Sequence, residues 1–265
     1  MKVKFLGDLH GNYSNNFGHN TIQVGDLSLV GYSNFGPYPK KRRFFIDGNH
    51  EAFNLINTNA SNPYEIKEGL VYIPRGYFSG EVLFVGGAGS VDYNFRAIRE
   101  IQNYQKKNGI ESVGEDVREA INALIAYQRV GRPIRWETQL DPVIKNFYNS
   151  LSYPERSQWF PEEEITEEQT QRILNTNKHV EVIVAHDCPI SFMKQIVSSI
   201  IKPYDVSNHK LEAIFNKFRP KLWIFGHHHT SIDKKFKGCR FFCLDIGHAM
   251  GFDVPLAEDF FVLDY

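Results

Sequence analysis

The chain contains 265 residues, of which 42% are hydrophobic, and it carries a formal net charge of −1 at pH 7. Its length and composition suit one domain of generous size, or a domain with an insertion. The near-zero net charge excludes the overall basic field with which many proteins attract nucleic acid or membrane surfaces. The 21 Phe and 13 Tyr residues exclude a disordered composition.

The sequence has three cysteines, which are Cys188, Cys239 and Cys243. Their odd number and the absence of a C-x-x-C motif argue against a secreted disulfide framework and favour a reducing compartment. The apolar run at residues 3–6 is too short for the core of a signal peptide. No run of about 18 apolar residues occurs. We therefore expect a cytoplasmic protein without a membrane segment.

Short β-rich runs recur along the chain. They lie at residues 2–6, 21–24, 43–46, 70–73, 82–85, 180–185, 222–225, 240–244 and 260–263. Several are almost continuously apolar, which is typical of strands buried on both faces of a sheet. A capping box at residues 166–169 predicts a helix to about residue 176, and a second helix is predicted from Ser207 to about residue 218, before Pro220. Together these elements predict a layered α/β architecture.

Polar side chains follow five of these predicted strands. In chain order they are Asp8 and His10, then Asp26, then Asn49, His50 and Glu51, then His186, and finally His227, His228 and His229. In open α/β sheets, ligands bind outside the carboxyl ends of the strands. We therefore expect these side chains to converge on one cleft.

The side chains at these strand ends form a mixed set of carboxylate, imidazole and amide donors. Such a set suits Mn, Fe, Zn or Ni, and Mg less well. Seven ligands are too many for one transition metal but suit two ions that share a bridging carboxylate. Two metals about 3.5–4 Å apart activate a hydroxide and stabilise in-line displacement at phosphorus. Any one of these histidines is more often a satisfied polar residue than a ligand, so the prediction depends on the ordered set.

In order along the chain, the motifs D-x-H, G-D, G-N-H-E, H and G-H-x-H resemble those of the calcineurin-like metallophosphoesterase family. The resemblance covers nearly the whole chain outside residues 97–156 and implies a layered β-sandwich flanked by helices, with a mainly helical insertion. It also implies seven metal ligands: Asp8, His10 and His229 for a first ion, Asn49, His186 and His227 for a second, and Asp26 as the bridge between them.

The same resemblance implies a catalytic role for His50, which would face the phosphate and donate a proton to the leaving oxygen or stabilise its charge. Alternate residues of an extended segment point the same way. His227 and His229 can therefore reach two adjacent ions, whereas His228 faces elsewhere and receives no role.

The sequence departs from the family's protein serine/threonine phosphatases, which carry G-D-x-x-D-R-G. Here the stretch is GDLSLVG, and Leu29 and Val30 occupy the places of the Asp and the Arg. A protein phosphatase of that type is therefore disfavoured. Another residue must orient His50, and Asp187 and Asp92 are the candidates.

A glycine-rich stretch at residues 81–96 ends in Asp92 and Arg96, which are candidate substrate-binding residues. Arg96 could grip phosphate oxygens; the alternative is a tight turn with an ordinary surface arginine. The stretch resembles a phage and bacterial subgroup of the family in which a tryptophan-rich segment follows soon after. Here the corresponding SQWFPEEEIT begins at residue 157, so residues 97–156 look inserted. Apolar residues at helical spacing predict helices in this insertion. Its alternative roles are a lid over the substrate, a structural decoration or an oligomer contact.

The sequence therefore predicts a single metallophosphoesterase domain over residues 1–265 that hydrolyses phosphate esters by a metal-bridging hydroxide. We expect a phosphodiesterase or phosphatase for a small or nucleotide-type substrate, including a nucleic-acid end, with two divalent ions, Mn first and Fe, Zn, Ni or Mg as alternatives. A protein phosphatase and a non-catalytic interaction module of the same fold are the other hypotheses. A mononuclear hydrolase or oxygenase would need only three ligands, and the surplus argues against it.

Overall fold

The computed structural model describes residues 1–11, 21–28, 42–53, 55–89, 106, 161–196 and 206–262. Contacts between Cα atoms divide the chain into two compact units, one of residues 1–89, 162–199 and 204–265, and one of residues 90–161 and 200–203. The architecture below is that of the first unit. The predictions for Leu29, Val30, Asp92 and Arg96 lie outside the described residues, as does the predicted helical insertion at 97–156 apart from residue 106.

The described residues form a mixed α/β structure. Its strands are β1 (Lys2–Leu6), β2 (Thr21–Val24), β3 (Arg43–Ile46), β4 (Tyr64–Lys67), β5 (Leu70–Tyr72), β6 (Tyr77–Ser79), β7 (Val82–Val85), β8 (Val182–Ala185), β9 (Leu222–Phe225), β10 (Ile232–Phe236), β11 (Cys239–Cys243) and β12 (Ala249–Asp253). Its α-helices are α1 (Glu167–Leu174), α2 (Ile190–Ile196) and α3 (Val206–Phe218), with a 3₁₀-helix at Pro161–Glu163.

The strands form two six-stranded sheets of mixed direction. The first has the order β12-β1-β2-β3-β5-β4 and the second the order β10-β11-β9-β8-β7-β6. In the first sheet β1, β2, β3 and β5 run parallel, and in the second β7, β8, β9 and β11 do. The outer strands β12, β4, β10 and β6 pair antiparallel with their neighbours. The carboxyl ends of the parallel strands therefore meet at one edge of each sheet.

Two apolar clusters account for the long apolar runs in the sequence. The first contains side chains of both sheets, including Val3 of β1 and Val82 and Phe84 of β7. The second contains Leu83 and Val85 of β7 together with side chains of the helices α1, α2 and α3. Because successive side chains of a strand point to opposite faces, β7 is buried on both faces.

Apart from residues 260–263, the elements that the sequence predicted have boundaries within about two residues of those in the structure. The sequence did not predict α2 or the outer strands β4, β6, β10 and β12. Thr166 caps α1 with both hydrogen bonds of a capping box. The predicted strand at residues 260–263 is wrong where the structure describes it, because residues 260–262 form turns. Phe260 is nevertheless fully buried in the first apolar cluster. Its hydrophobicity thus reflects packing rather than strand pairing.

The part of the chain that the structure describes contains no helix long and apolar enough to cross a membrane.

Candidate metal centre

The side chains predicted as ligands lie directly after parallel strands. Asp8 follows β1, Asp26 follows β2, Asn49 follows β3, His186 follows β8, and the histidines 227–229 follow β9. Asp8, Asp26, Asn49 and His186 are buried, with exposed fractions of 0 to 3%. Polar groups of this kind are costly to bury unless they are paired or hold an ion.

Unusual backbone geometry brings these side chains together. His10, Asp26, His227 and His229 have positive φ angles of 45, 57, 67 and 48°. Residues other than glycine seldom adopt this region, and strained positions of this kind cluster at functional sites. Four of the seven non-glycine residues with positive φ in the described part of the chain are predicted ligands. The prediction of an extended segment at residues 227–229 is wrong, because two of its three residues have this left-handed conformation and the segment forms bends.

Two glycines permit the close approach of the strand ends. A Cβ atom on Gly48 would lie 2.2 Å from Oδ1 of Asp26, and one on Gly226 would lie 2.2 Å from Oδ1 of Asp8. No side chain fits at these distances, so glycine is required by the space that the carboxylates occupy.

The first group of candidate ligands consists of Asp8, His10, Asp26 and His229, whose donor atoms all lie within 4.8 Å of one another. Nε2 of His229 is 3.2 Å from Oδ2 of Asp8, and Nε2 of His10 is 3.7 Å from Oδ2 of Asp26. The two Nε2 atoms of His10 and His229 are 2.8 Å apart. Two carboxylates and two imidazoles thus face a common point.

The second group consists of Asp26, His186 and His227. Nε2 of His186 lies 3.4 Å from Oδ1 of Asp26. The amide oxygen of Asn49 lies 3.1 Å from Nε2 of His186 and 3.0 Å from Nδ1 of His227. Asp26 belongs to both groups, one oxygen facing each, so the described residues contain two adjoining groups that could hold metal ions.

The carboxylates of the centre favour positive charge at His186, whereas burial lowers the pKa of His227 to about 3. Burial alone would raise the pKa of Asp26, but the imidazoles of His186, His50 and His227 hold it well below its ordinary value. Burial opposes protonation of His186, yet the carboxylates of Asp26 and Asp8 raise its pKa to about 10. The buried carboxylates therefore attract a cation strongly, and the donor chemistry fits divalent metal ions.

His50 lies beside both groups. Its backbone N–H donates to Oδ1 of Asp26 at 2.8 Å, and its ring stands edge-on to that of His10 with the ring centres 5.1 Å apart. The residue is partly exposed. Its imidazole is thus placed at the border between the buried ligands and solvent.

Glu51 is a site residue whose role the sequence analysis missed. It is 2% exposed, and its Oε1 accepts the backbone N–H of Leu27 at 2.7 Å. Burial and the nearby Asp26 carboxylate raise the pKa of Glu51 well above its ordinary value. Glu51 thereby holds the turn that carries Asp26. The position of Glu51 directly after the G-N-H triplet was the feature of the sequence that could have indicated this role.

A third group that could hold a metal ion contains Asp187, Cys188 and His228. Oδ1 of Asp187 lies 2.9 Å from Nε2 of His228, and the Cys188 sulfur lies 3.9 Å from the same nitrogen. Both atoms approach one nitrogen, and Oδ1 of Asp187 also accepts the backbone N–H of Cys188. This geometry is that of a hydrogen-bond network.

Comparison with known proteins provides little further guidance. No family model matches the chain, and no curated protein matches it. One similar solved structure is the crystal structure of the phosphopantetheinyl hydrolase PptH from Mycobacterium tuberculosis. It is 14% identical, the alignment covers 93% of this chain and 90% of that chain, and the TM-score is 0.36. A likeness this weak carries no argument about fold or activity.

Proposed function

We propose that this protein is a metal-dependent phosphoesterase of the calcineurin-like metallophosphoesterase type. The observation that carries the proposal is the pair of adjoining donor groups that share Asp26. A bridging carboxylate between two mixed oxygen and nitrogen donor sets is the arrangement expected of a two-metal hydrolase. The apolar cluster common to both sheets supports the layered β-sandwich that belongs to this proposal.

In this proposal seven residues hold two divalent ions, with Mn as the first choice. Asp8, His10 and His229 would hold the first ion, Asn49, His186 and His227 would hold the second, and Asp26 would be shared between the two groups. When bound, the ions supply Lewis acidity and an acidified water for attack at phosphorus.

The protein's own residues orient the reaction. The hydrogen bond from the His50 backbone to Asp26 fixes His50 relative to the shared carboxylate. Its partly exposed imidazole can then protonate the leaving oxygen of a phosphate ester. The presence of His50 and all seven donors favours catalysis over a binding module, because a module of this fold has no need to keep them.

The near-neutral net charge supports a small or nucleotide-type phosphate ester, including a nucleic-acid end, over a long nucleic acid. A protein phosphatase remains the less favoured hypothesis. We place the enzyme in the cytoplasm, which agrees with three buried cysteines that form no disulfide.

The test is turnover of a chromogenic phosphate monoester and the matching diester, measured side by side in Mn²⁺. We expect hydrolysis that a chelator abolishes and Mn²⁺ restores. Asp26→Asn should lower kcat/KM by more than about 100-fold, because loss of even a supporting residue costs about 10–100-fold. Diester turnover would indicate a phosphodiesterase, and monoester turnover alone a phosphatase. A metal-loaded protein inactive on both esters and on nucleotides would contradict the proposal and favour the binding module.

A further inference from the structure

The middle histidine of the 227–229 run is built into the interior. The side chain of His228 is only 6% exposed, and its Nε2 lies 2.9 Å from Oδ1 of Asp187. Its ring stands edge-on to Phe225, with the centres 5.8 Å apart. The hydrogen bond to Asp187 offsets the cost of burying this imidazole.

Asp187, the partner of His228, is held from several sides. Its Oδ1 also accepts the backbone N–H of Cys188 at 2.7 Å, and its Oδ2 accepts Nδ2 of Asn208 at 2.8 Å. The Asp187 carbonyl accepts the indole N–H of Trp223 at 3.1 Å. The carboxylate is 1% exposed and is thereby fixed in position and orientation.

Beyond these contacts, Asp187 faces His227. Nδ1 of His227 lies 3.0 Å from the amide oxygen of Asn49, on the side of the second donor group. Nε2 of the same ring lies 3.8 Å from Oδ2 of Asp187. The two nitrogens thus face opposite ways, one toward the donors and one toward the carboxylate.

This arrangement has a chemical consequence for metal binding. An imidazole that binds a metal through Nδ1 must be neutral and carry its proton on Nε2. A carboxylate that receives the second N–H of a ligand histidine fixes its tautomer and ring orientation. At 3.8 Å the two atoms are beyond hydrogen-bond distance, so the inferred hydrogen bond requires the His227 ring to move closer to Asp187 when the metal binds.

We propose that Asp187 is a positioning residue for His227, and that His228 and Asn208 hold Asp187 in the required orientation. The inference rests on the proposed function, since it requires His227 to bind a metal ion. It assigns His228 a role in the G-H-x-H motif. It also assigns Asp187 to His227 rather than to the support of His50. One strand end, that of β8, then supplies a ligand and a supporting carboxylate at adjacent positions, His186 and Asp187.

The test compares metal affinities by competition with a chelator, together with the visible spectrum of the Co²⁺-loaded protein. We expect the wild-type protein to bind two ions. Asp187→Asn should weaken the second ion about 10–100-fold, leave the first ion unchanged and alter the Co²⁺ spectrum. Glu212→Gln is the matched control, because it also removes a carboxylate charge but at a side chain that contacts Ser191 and Lys237.

A second pair of variants tests the inference independently, in case Asp187→Asn fails to fold. His228→Gln keeps an N–H donor for Asp187 and should stay near the wild-type affinity, whereas His228→Leu removes the donor and should weaken the second ion several-fold. Three results would each overturn the inference and leave the proposed function intact. They are equal metal affinities in the two His228 variants, an unchanged spectrum and affinity in Asp187→Asn, and a loss of affinity in Glu212→Gln equal to that in Asp187→Asn. A wild-type protein that binds no second ion would overturn both.

Discussion

At the scale of single residues, close approach is the main constraint on the candidate centre. Asp26 is 1% exposed, faces donors of both groups and also accepts the backbone N–H of His50. The Asp26 carboxylate therefore has close neighbours on several sides. Small additions nearby should therefore have large effects on metal binding.

Gly48→Ala tests this constraint. The added Cβ would lie 2.2 Å from Oδ1 and 2.4 Å from the backbone nitrogen of Asp26, so Asp26 must move. We expect metal affinity to fall by at least about 10-fold and the free energy of unfolding to fall by about 1–3 kcal/mol, as for other overpacked sites. Chelator competition and denaturant titration measure the two effects.

Gly251→Ala is the control for that experiment. Its Cβ would meet mainly the flexible end of Lys2, at 3.1 Å, on the exposed edge strand β12. We expect its free energy of unfolding to change by less than about 0.5 kcal/mol. Similar losses of metal affinity in both variants would show that crowding at Asp26 is not the cause.

At the scale of the elements, a buried ion pair joins the end of β3 to the segment between β5 and β6, and the same arginine also reaches the segment that precedes α1. Arg75 is 1% exposed and donates to Oδ2 of Asp47 from both Nε and Nη2, at 2.9 and 2.6 Å. Its remaining donors reach the side chain of Gln169 and the backbone carbonyls of Glu162, Glu163 and Glu164. Asp47 lies two residues before Asn49, so the same pair steadies one strand end of the candidate centre.

Arg75→Met should lower the free energy of unfolding by about 3–5 kcal/mol, because it leaves the buried carboxylate of Asp47 without its counter-charge. The matched control is Arg240→Met. Arg240 also donates from Nε and Nη2 to one aspartate, at 2.8 and 2.7 Å, but it contacts both oxygens of Asp233 and is substantially exposed. The control should change stability by about 1 kcal/mol or less. Equal losses in denaturant titrations would contradict this account of Arg75.

At the scale of the whole unit, the centre draws ligands from both sheets. Asp8, Asp26 and Asn49 follow strands of the first sheet, whereas His186 and His227 follow strands of the second. A metal ion bound there would contact both sheets and would be lost on unfolding. Metal binding and global stability should therefore be linked.

We expect each Mn²⁺ ion, at about 100 times its dissociation constant, to stabilise the folded protein by about 2.7 kcal/mol. For a protein of this size, that corresponds to a rise in Tm of roughly 5–10 °C. Thermal unfolding with Mn²⁺ and with a chelator measures the shift. Asp26→Asn serves as the control, since its Tm should respond much less. A wild-type Tm that is the same in both conditions would argue against ions held between the sheets.

The sequence alone determined the strand ends from which the centre is built. A parallel strand buried on both faces favours an almost continuous apolar run, and the strand ends at Asp8, Asp26 and Asn49 are marked locally by a glycine and a polar residue. The capping box of α1 is equally local, because Thr166 and Gln169 need only each other. Such features can be read without knowledge of distant contacts.

Only the tertiary structure decided how those ends combine. The outer strands β4, β6, β10 and β12 lack the apolar runs of the inner strands, since an edge strand is defined by its neighbour. The apolar run at 260–263 begins in turns, and of its described residues only Phe260 is buried. The Asp187–His228 and Arg75–Asp47 pairs join residues 41 and 28 positions apart. These polar groups pair because they are buried and would otherwise lack hydrogen-bond partners. Which distant residues are buried together is decided only when the chain folds.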